Sequence, residues 1–492
     1  MKQLGIVDSA FVNLEHRNVP QHVGGLGIYD PSTAPGGFVR FKQVLSNFED
    51  RLHRVPVFRT RLVDVPLGLD KPYWVIDENF DVEFHIRHIA LPKPGDWRQL
   101  CIQVARLHAR PLDMSRPLWE CYIIEGVDNI DGVAPGGFAV YTKMHHSLVD
   151  GAGGQAFMMA LHDLEAEPDP SEPAAEDVIE DTQPSDATLL GKALLNRMKD
   201  IPGDVRGFFG LSGDVLRMVN RIRTGDLPHA ATDAPKTRFD EPVGPHRVFD
   251  AISLDLAELK AIKDGCNATI NDVVVTVIAG AVRKYLIAHD ELPEEPLAAS
   301  MPVNMRTRKG ETEDANQIGT IMGLVHTDIA DPKKRLKAIQ KSMEDAKAFI
   351  DTPFADTLKL AGYFSPMIAK RLAGIFVDNE LTRRLPMGYC GIITNIPGAP
   401  VQLYCAGARL TDYHCLGVLT PGSGVCNAIF SMNQNVSMSF LADRNCIPDP
   451  DLYRQSLEES YAELKEAVLG QARKPRKKTT RKKAARKMTA GK

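Results

Sequence analysis

Two adjacent histidines, His145 and His146, are the side chains in this sequence best suited to acid–base chemistry. A neutral imidazole can accept a proton near neutral pH, because its unperturbed pKa is about 6.5. Asp150 follows four residues after His146, close enough to orient that ring or to pair with an arginine elsewhere. Gly151 then opens a glycine-rich turn, where a backbone or a thin ligand can approach closely. The segment predicts a site of proton transfer.

A strand must position this pair. Residues 138–142 are β-prone, follow a Pro-Gly-Gly turn and lead into the two histidines. If the strand continues through the pair, neighbouring side chains point to opposite faces of the sheet. Only one of the two imidazoles can therefore face a given cleft.

Other kinds of site fit poorly. A zinc site needs at least three ligands, whereas this segment offers at most His146 and Asp150, so we expect no metal. Ser147 does not stand in a Gly-x-Ser-x-Gly turn, so a serine nucleophile is not expected. The eight cysteines are scattered without a Cys-x-x-Cys pair, which argues against a disulfide scaffold or a thiolate zinc site.

Two blocks of mixed strands and helices flank a long linker. Residues 163–186 contain ten acidic residues, four prolines and no basic residue, a composition that cannot bury much apolar surface. We therefore expect an α/β (α+β) protein whose site lies between its halves. The expected divisions are an N-terminal unit over 1–162, an acidic linker with crossover helices over 163–245, a C-terminal unit over 246–470 and a disordered basic tail over 471–492.

Hydrophobic periodicity predicts the main elements of both halves. The predicted helices cover 41–52, 100–109, 270–286 and 332–348. The predicted strands cover 23–29, 74–76, 138–142, 297–302 and 321–325. The segment 270–286 is ambiguous, because its valines favour a strand and its length favours a buried helix; we favour the helix.

Charge is distributed unevenly along the 492 residues. The last twenty residues carry 11 of the 59 basic residues and no acidic one, which leaves 48 basic against 63 acidic residues in the rest. Nucleic-acid binding by so acidic a body is not expected, although the tail can contact polyanions. An acidic residue at position 8 interrupts the N-terminus before an apolar run can form, so we expect no secretory signal.

Several motifs resemble those of one family. The segment 145–151 matches the HHxxxDG signature of the CoA-dependent acyltransferase superfamily. Pro117-Leu118-Trp119 resembles a PLW motif and Asn271-Asp272 an ND motif, in the order and spacing of bacterial wax ester synthase/diacylglycerol acyltransferases. Further matches lie at residues 7–11, 22–26, 302–306 and 395–398. The resemblance covers about residues 1–465.

This resemblance implies a fold and a reaction. Two similar chloramphenicol-acetyltransferase-like subdomains would enclose a central tunnel at their interface. His146 would take the proton of an alcohol that attacks long-chain acyl-CoA, a substrate rather than a cofactor, without a metal or an acyl-enzyme. The acceptor would be diacylglycerol or a long-chain alcohol, and the product triacylglycerol or a wax ester.

The resemblance also implies roles for other residues. Catalysis would involve His145 and Asn271, the latter as an oxyanion donor or, alternatively, as a helix cap. Asp150 would form a buried ion pair with Arg306. Gly25, Pro117, Leu118, Trp119 and Gly151 would bind substrate. Core packing is the alternative for the PLW residues, and tight packing is the alternative for Gly25.

We further expect a cytoplasmic protein, a monomer or homodimer, peripherally associated with the inner face of the cell membrane or with lipid inclusions. The basic tail matches no motif of the family; it is either a solvated, disordered end or a segment that docks electrostatically on anionic lipid. Three alternatives remain open: a condensation-type acyltransferase acting on another acceptor, a hydrolase, and a non-catalytic lipid-inclusion surface protein. Release of free CoA with and without an alcohol separates them.

Overall fold

The computed structural model describes residues 1–148, 151–167, 184–196, 234–304, 318–348, 365–384 and 390–470, and the single residues 198, 217, 220 and 224. Fifteen strands occur in this part of the chain. They are β1 (Lys2–Gln3), β2 (His22–Asp30), β3 (Thr60–Val63), β4 (Tyr73–Ile76), β5 (Ile86–Ala90), β6 (Trp119–Glu125), β7 (Phe138–His145), β8 (Arg247–Asp255), β9 (Ala298–Asn304), β10 (Ile318–Leu324), β11 (Ile392–Pro397), β12 (Tyr404–Cys405), β13 (Ala408–Leu416), β14 (Val425–Met432) and β15 (Asn435–Asp443).

Helices accompany both halves of the chain. They are α1 (Ile6–Leu14), α2 (Phe41–Glu49), α3 (Val82–His85), α4 (Trp97–His108), α5 (Gly151–Leu161), α6 (186–196), α7 (Leu256–Cys266), α8 (Ile270–Ala288), α9 (Pro332–Lys347), α10 (Pro366–Asp378) and α11 (Pro450–Leu469). The predicted elements are all present, with ends shifted by a few residues. The predicted strand at 138–142 extends through His145.

Two six-stranded mixed sheets organise the molecule. The first has the order β12-β13-β2-β7-β6-β5 and the second the order β10-β9-β11-β14-β15-β8. A small sheet, β1-β4-β3, stands beside them. Both large sheets combine antiparallel pairs with parallel ones, such as β5 with β6 and β11 with β14. This mixed architecture with flanking helices confirms the expected fold class.

The first sheet is completed by strands from the far end of the chain. β13 pairs with β2 in antiparallel register, with Leu410 opposite Tyr29 and Leu416 opposite Gly24. β13 also contacts β14 and β15 of the second sheet. His414 in β13 has its Nδ1 atom 2.6 Å from the Ser437 hydroxyl in β15. A segment late in the sequence therefore ties the two sheets together.

Helix α8 resolves the ambiguity at 270–286. The Thr269 side chain accepts the backbone N–H of Asp272, and the Asp272 carboxylate accepts the N–H of Thr269, so the two residues form a capping box. The valines that suggested a strand are instead buried against neighbouring helices and the second sheet. Tertiary packing thus overrides the β-propensity of this segment, and the helix prediction is confirmed.

One core cluster joins the halves. It combines Leu26 and Tyr141 of the first sheet with Phe249, Cys426 and Leu441 of the second, all almost fully buried. A further cluster also contains residues of both sheets, among them Tyr29 and Phe430, and another packs against the second sheet alone. The two halves therefore share apolar core clusters.

No single helix in the described ranges is both long and apolar enough to cross a membrane. Consecutive helices α7 and α8 reach that length and composition only when taken together, and they meet at a bend of 97°.

Candidate active site

His146 lies directly after β7, and contacts of its backbone and of its ring hold it in place. Its backbone N–H donates to the Gln21 carbonyl at 2.8 Å. Its ring stacks on Phe11 of α1, with centroids 4.1 Å apart and planes 8° from parallel. The strand end fixes the position of the imidazole, and the stacked phenyl ring fixes its plane.

The imidazole lines a cavity of about 290 Å³ between the two sheets. Both halves of the chain supply the walls. Residues of the first half include Phe11, Leu14, Val23, Gly25, Met144 and Met158, and residues of the second include Ser300, Pro302, Thr394, Ile396, Tyr413 and Phe430. A mostly apolar lining with a few polar groups is typical of sites that bind small molecules. The site lies between the halves, as the sequence predicted.

His145 faces the opposite way and is fully buried. Its Nδ1 atom accepts the Ser147 backbone N–H at 3.1 Å, so Nε2 carries a ring proton. Nε2 lies 3.4 Å from the carboxylate of Glu15, which also accepts the Gln21 N–H at 2.6 Å. The Gln21 carbonyl accepts the His146 N–H. Through Glu15 and Gln21, the buried His145 ring therefore helps to hold the backbone of His146 in place. Only one of the two imidazoles lines the cavity, as strand alternation predicted.

Glycines of β2 make room for large side chains. A Cβ atom on Gly25 would stand 1.8 Å from the Tyr413 hydroxyl, and one on Gly24 would stand 2.9 Å from the Tyr141 ring. Gly25 lines the cavity, whereas Gly151 is the first residue of α5. Gly154, one turn into α5, also lines the cavity, and a Cβ there would meet nothing within 4 Å.

The PLW residues lie in the packed core rather than in the cavity lining. Leu118 has no exposed surface and packs in a cluster with Leu4, Val12 and Leu62. Trp119 is 1% exposed, and its indole N–H donates to the Phe58 carbonyl at 2.8 Å. These positions favour the alternative of core packing for Pro117, Leu118 and Trp119, and their binding of substrate stays a prediction. β6 is an interior strand whose side chains are almost all buried, and the Leu118 carbonyl just before it accepts the His145 N–H at 2.9 Å.

Asn271 points away from the cavity. It is the second residue of α8, and its side-chain oxygen lies 3.4 Å from the amide of Asn395. Asn395 alternates along β11 with Thr394 and Ile396, which line the cavity, so Asn271 meets the other face of that strand. The expected oxyanion role is not supported by this position. The alternative of a cap is also wrong, because Thr269 caps the helix.

Asp150 and Arg306 lie outside the described residues, so their ion pair stays a prediction. Within the described residues, no three His, Cys, Asp or Glu side chains come together as a set of metal ligands.

A buried polar network behind the site was not predicted. Lys143 has no exposed surface, and its ammonium group lies 3.0 Å from Glu120 and 2.9 Å from the Arg110 carbonyl. Burial lowers the pKa of Lys143, and the nearby Glu120 opposes that shift. The available signal was a lysine inside an otherwise apolar strand, two residues before the histidine pair.

Two further imidazoles are buried beside this network. His22 Nε2 lies 2.6 Å from the His108 carbonyl, and His108 Nδ1 lies 2.7 Å from the Tyr141 hydroxyl. Burial holds the pKa of both rings well below the usual value, and Lys143 lowers it further. Both rings are therefore neutral near pH 7 and serve as hydrogen-bonding groups of the core.

Two cysteine thiols line the cavity but do not ionise near neutral pH. Burial raises the pKa of Cys415 and of Cys426 to about 12. Since the thiolate is the nucleophile, neither cysteine is suited to form an acyl-enzyme. His146 is the only imidazole among the described residues of the lining. The arrangement can hold an apolar chain and move a proton at one point along it.

Comparison with known proteins matches this arrangement to one family. The profile of the wax ester synthase/diacylglycerol acyltransferase catalytic domain matches residues 4–274. The profile of the C-terminal domain of the same family matches residues 315–465. Together they span most of the chain, with only the tail and short segments outside.

Individual relatives match over nearly their whole length. The probable diacylglycerol O-acyltransferase tgs2 of Mycobacterium tuberculosis is 31% identical over 468 residues, covering 94% of this chain and 98% of that protein. O-acyltransferase WSD of Acinetobacter baylyi is 29% identical over 487 residues, covering 95% and 98%. The solved wax ester synthase/diacylglycerol acyltransferase from Marinobacter aquaeolei VT8 superposes with a TM-score of 0.68 at 26% identity, covering 95% of this chain and 100% of that one.

Proposed function

The chain belongs to the wax ester synthase/diacylglycerol acyltransferase family and is an O-acyltransferase, and we propose that it moves a long-chain acyl group from acyl-CoA to the hydroxyl of a diacylglycerol or a long-chain alcohol. The observation that carries the proposal is the place of His146. Its ring is the only imidazole among the described residues that line a largely apolar cavity built by both halves. A lipid hydroxyl and a thioester can meet in such a cavity beside a base.

His146 acts first as a base and then as an acid. The imidazole accepts the hydroxyl proton while the alcohol oxygen forms a bond to the thioester carbonyl carbon. When the tetrahedral intermediate collapses, the carbon–sulfur bond breaks and the imidazolium returns its proton to the CoA thiolate. The products are an ester and free CoA, and the ring is neutral again. Base catalysis of this kind contributes about 10²–10⁴-fold.

The oxyanion of the intermediate needs a hydrogen-bond donor, which in other enzymes contributes about 3–4 kcal/mol. Ser300, Thr320 and Thr394 bring hydroxyls to the cavity from the second sheet, across from the strand that presents His146. We assign the donor to this group of hydroxyls in place of Asn271.

A thiol-release assay tests the proposal. Palmitoyl-CoA is mixed with the protein and either hexadecanol or a diacylglycerol, and both free CoA and the ester product are measured. We expect alcohol-dependent release that falls by about 10²–10⁴-fold in His146→Ala. His88→Ala is the matched control, because His88 is a partly exposed imidazole outside the cavity lining, 3.1 Å from Glu125.

Each other result identifies a different activity. Equal CoA release without an alcohol would identify a hydrolase, and release with amines alone a condensation-type enzyme. No release with any acceptor, from a protein that melts cooperatively, would contradict the proposal.

We also propose that the protein works in the cytoplasm at a lipid surface, to which the basic tail contributes. Eleven basic residues without an acidic one would gain about 1 kcal/mol each near an anionic membrane. Deleting residues 473–492 should weaken sedimentation with anionic vesicles at low salt. Unchanged sedimentation would remove the tail from this role.

A further inference from the structure

Helix α10 presents an apolar face to solvent. Met367, Ile368, Leu372 and Ile375 are 53%, 46%, 51% and 49% exposed. Their spacing along the helix places them on one side, and the exposed Arg371 lies on that side among them. These five residues are called the α10 face below. Exposed apolar side chains grouped on one surface mark a binding site more often than single ones do.

Leu67 extends this surface. It stands at the tip of the short turn Pro66–Gly68, which packs against α10. A Cβ on Gly68 would lie 3.0 Å from the backbone nitrogen of Met367, so the turn and the helix touch. Leu67 is 75% exposed and has a φ of 60°, a conformation that leucine rarely adopts. The turn therefore holds a large apolar side chain outward beside the helix.

The opposite side of α10 packs against the wall of the active site. It contacts α1, the helix that carries Phe11 and Leu14 into the cavity. At the end of α10, Asp378 lies 3.3 Å from His16, just after α1. One helix layer thus separates the α10 face from the cavity that holds His146.

Charge at the α10 face suits an anionic partner. Arg371 lies among the apolar residues, and the exposed Lys370 stands at their edge, 3.7 Å from Asp64. The acidic residues Asp378 and Glu380 lie at the far end of the helix. Long basic side chains can cover apolar surface with their stems while their charges reach lipid headgroups, as in helices that lie in a membrane interface.

We propose that the α10 face and Leu67 dock the protein on an anionic phospholipid bilayer. The choice of a lipid surface rests on the proposed function, because diacylglycerols and long-chain alcohols dissolve in bilayers and not in water. With the helix lying in the headgroup layer, the wall of the cavity is brought next to the phase that holds the acceptor.

Vesicle sedimentation tests the docking surface without using activity. The full-length protein is mixed with phosphatidylcholine vesicles that contain or lack phosphatidylglycerol. Ile368→Glu/Leu372→Glu is compared with Ile287→Glu/Val401→Glu, which adds the same charge at residues 49% and 43% exposed elsewhere. We expect the partition coefficient to fall about a hundredfold or more in the first variant and to change little in the second. Thermal unfolding of both variants verifies that they fold.

Arg371→Glu provides a second arm. It should weaken binding to vesicles with phosphatidylglycerol and leave the weaker binding to phosphatidylcholine alone unchanged. Wild-type sedimentation of the Ile368→Glu/Leu372→Glu variant would overturn the inference. So would a change in that variant's oligomeric state alone, since a second copy of the chain would then cover the face.

His146→Ala separates this inference from the proposed function. It should lose CoA release and keep full vesicle binding. If wild-type protein released no CoA but still bound vesicles through the α10 face, the docking inference would stand and the proposed function would fall.

Discussion

At the scale of single residues, the site depends on the absence of a side chain at Gly25. The Tyr413 side chain packs so close to the β2 backbone at Gly25 that it occupies the space where a Cβ atom would stand. Both residues line the cavity. The shape of the cavity beside His146 is therefore set by a glycine, which has no group that takes part in the reaction.

Gly25→Ala should reduce turnover by at least about tenfold, because Tyr413 must move into the cavity to clear a Cβ that would stand 1.8 Å from its hydroxyl. Gly154→Ala is the matched control, since it also lines the cavity but meets nothing within 4 Å. That helical change should leave turnover near normal and raise stability by up to about 1 kcal/mol. Steady-state kinetics and thermal melts measure both; similar losses in the two variants would contradict this explanation.

Thr394→Val should lower kcat by about 10²-fold if its hydroxyl supplies the oxyanion hydrogen bond. The same change at Thr320 and Ser300→Ala identify which of the three lining hydroxyls acts. KM for the acyl donor should change less than kcat, because the bond forms mainly in the transition state. Wild-type kcat in all three variants would remove the second sheet from this role.

The sequence predicted the orientation of the histidine pair but not that of Asn271. Alternation within one strand is a local rule, so His145 and His146 could be assigned to opposite faces. The position of Asn271 relative to the cavity depends on which face of a distant strand its helix packs against. Local spacing does not determine that face. The PLW residues show the same limit, because a buried apolar run can line a cavity or fill a core.

At the scale of elements, β6 and β7 are joined by a buried ion pair just before the site. Lys143 and Glu120 are register partners on these neighbouring strands, and Tyr122 donates to the same carboxylate at 2.8 Å. Burial raises the pKa of Glu120, whereas Lys143, Tyr122 and Arg87 lower it, and together they outweigh burial. Both charged groups of this buried pair therefore have hydrogen-bonding partners.

Lys143→Met should cost up to about 3–5 kcal/mol, because it removes the nearer cation of the buried Glu120 carboxylate and leaves Arg87 at 3.6 Å. The double variant Lys143→Met/Glu120→Gln should recover much of that loss. Urea unfolding of the single and double variants measures the difference. A double variant as unstable as the single one would show that packing of the lysine stem, and not charge, stabilises the strands.

Helix α8 depends on its first turn as well as on its buried face. Thr269→Ala removes the side chain that accepts the Asp272 N–H at 3.1 Å and should cost about 1 kcal/mol. Thr269→Ser keeps the hydroxyl and should be close to neutral. Equal melting temperatures for the alanine and serine variants would contradict the capping role.

The four helices and five strands that were predicted have local signals. Apolar spacing marked α4 and α9, and the length of the segment favoured a helix at α8. The pairing of β13 with β2 was not predictable, because almost four hundred residues separate the partners. No pattern within β13 specifies which sheet edge it joins.

At the scale of the whole molecule, buried histidines make stability depend on pH. His22, His108 and His414 are at most 3% exposed. Burial is the main cause that lowers their pKa, to about 4 for His414. Below about pH 6.5 the unfolded chain binds protons that the folded one does not, so stability is full above that pH and is lost as the pH falls.

The free energy of unfolding should therefore fall by about 1.4 kcal/mol per pH unit for each such ring between about pH 6 and about pH 4.5. His414→Gln should reduce the slope of the unfolding free energy against pH by the contribution of one histidine. Urea midpoints measured across that range test the slope. A slope unchanged by the substitution would show that His414 titrates alike in the folded and unfolded states.

The return of β13 to the first sheet has a consequence for recombining relatives of this enzyme. A chimera cut in the acidic linker inherits most of its first sheet from one parent and the outer strands from the other. Its two parents must then agree on strand register along β2, with Leu410 facing Tyr29 and Leu416 facing Gly24. If residues 404–416 are exchanged together with the N-terminal part, both strands of the β13–β2 pair come from the same parent.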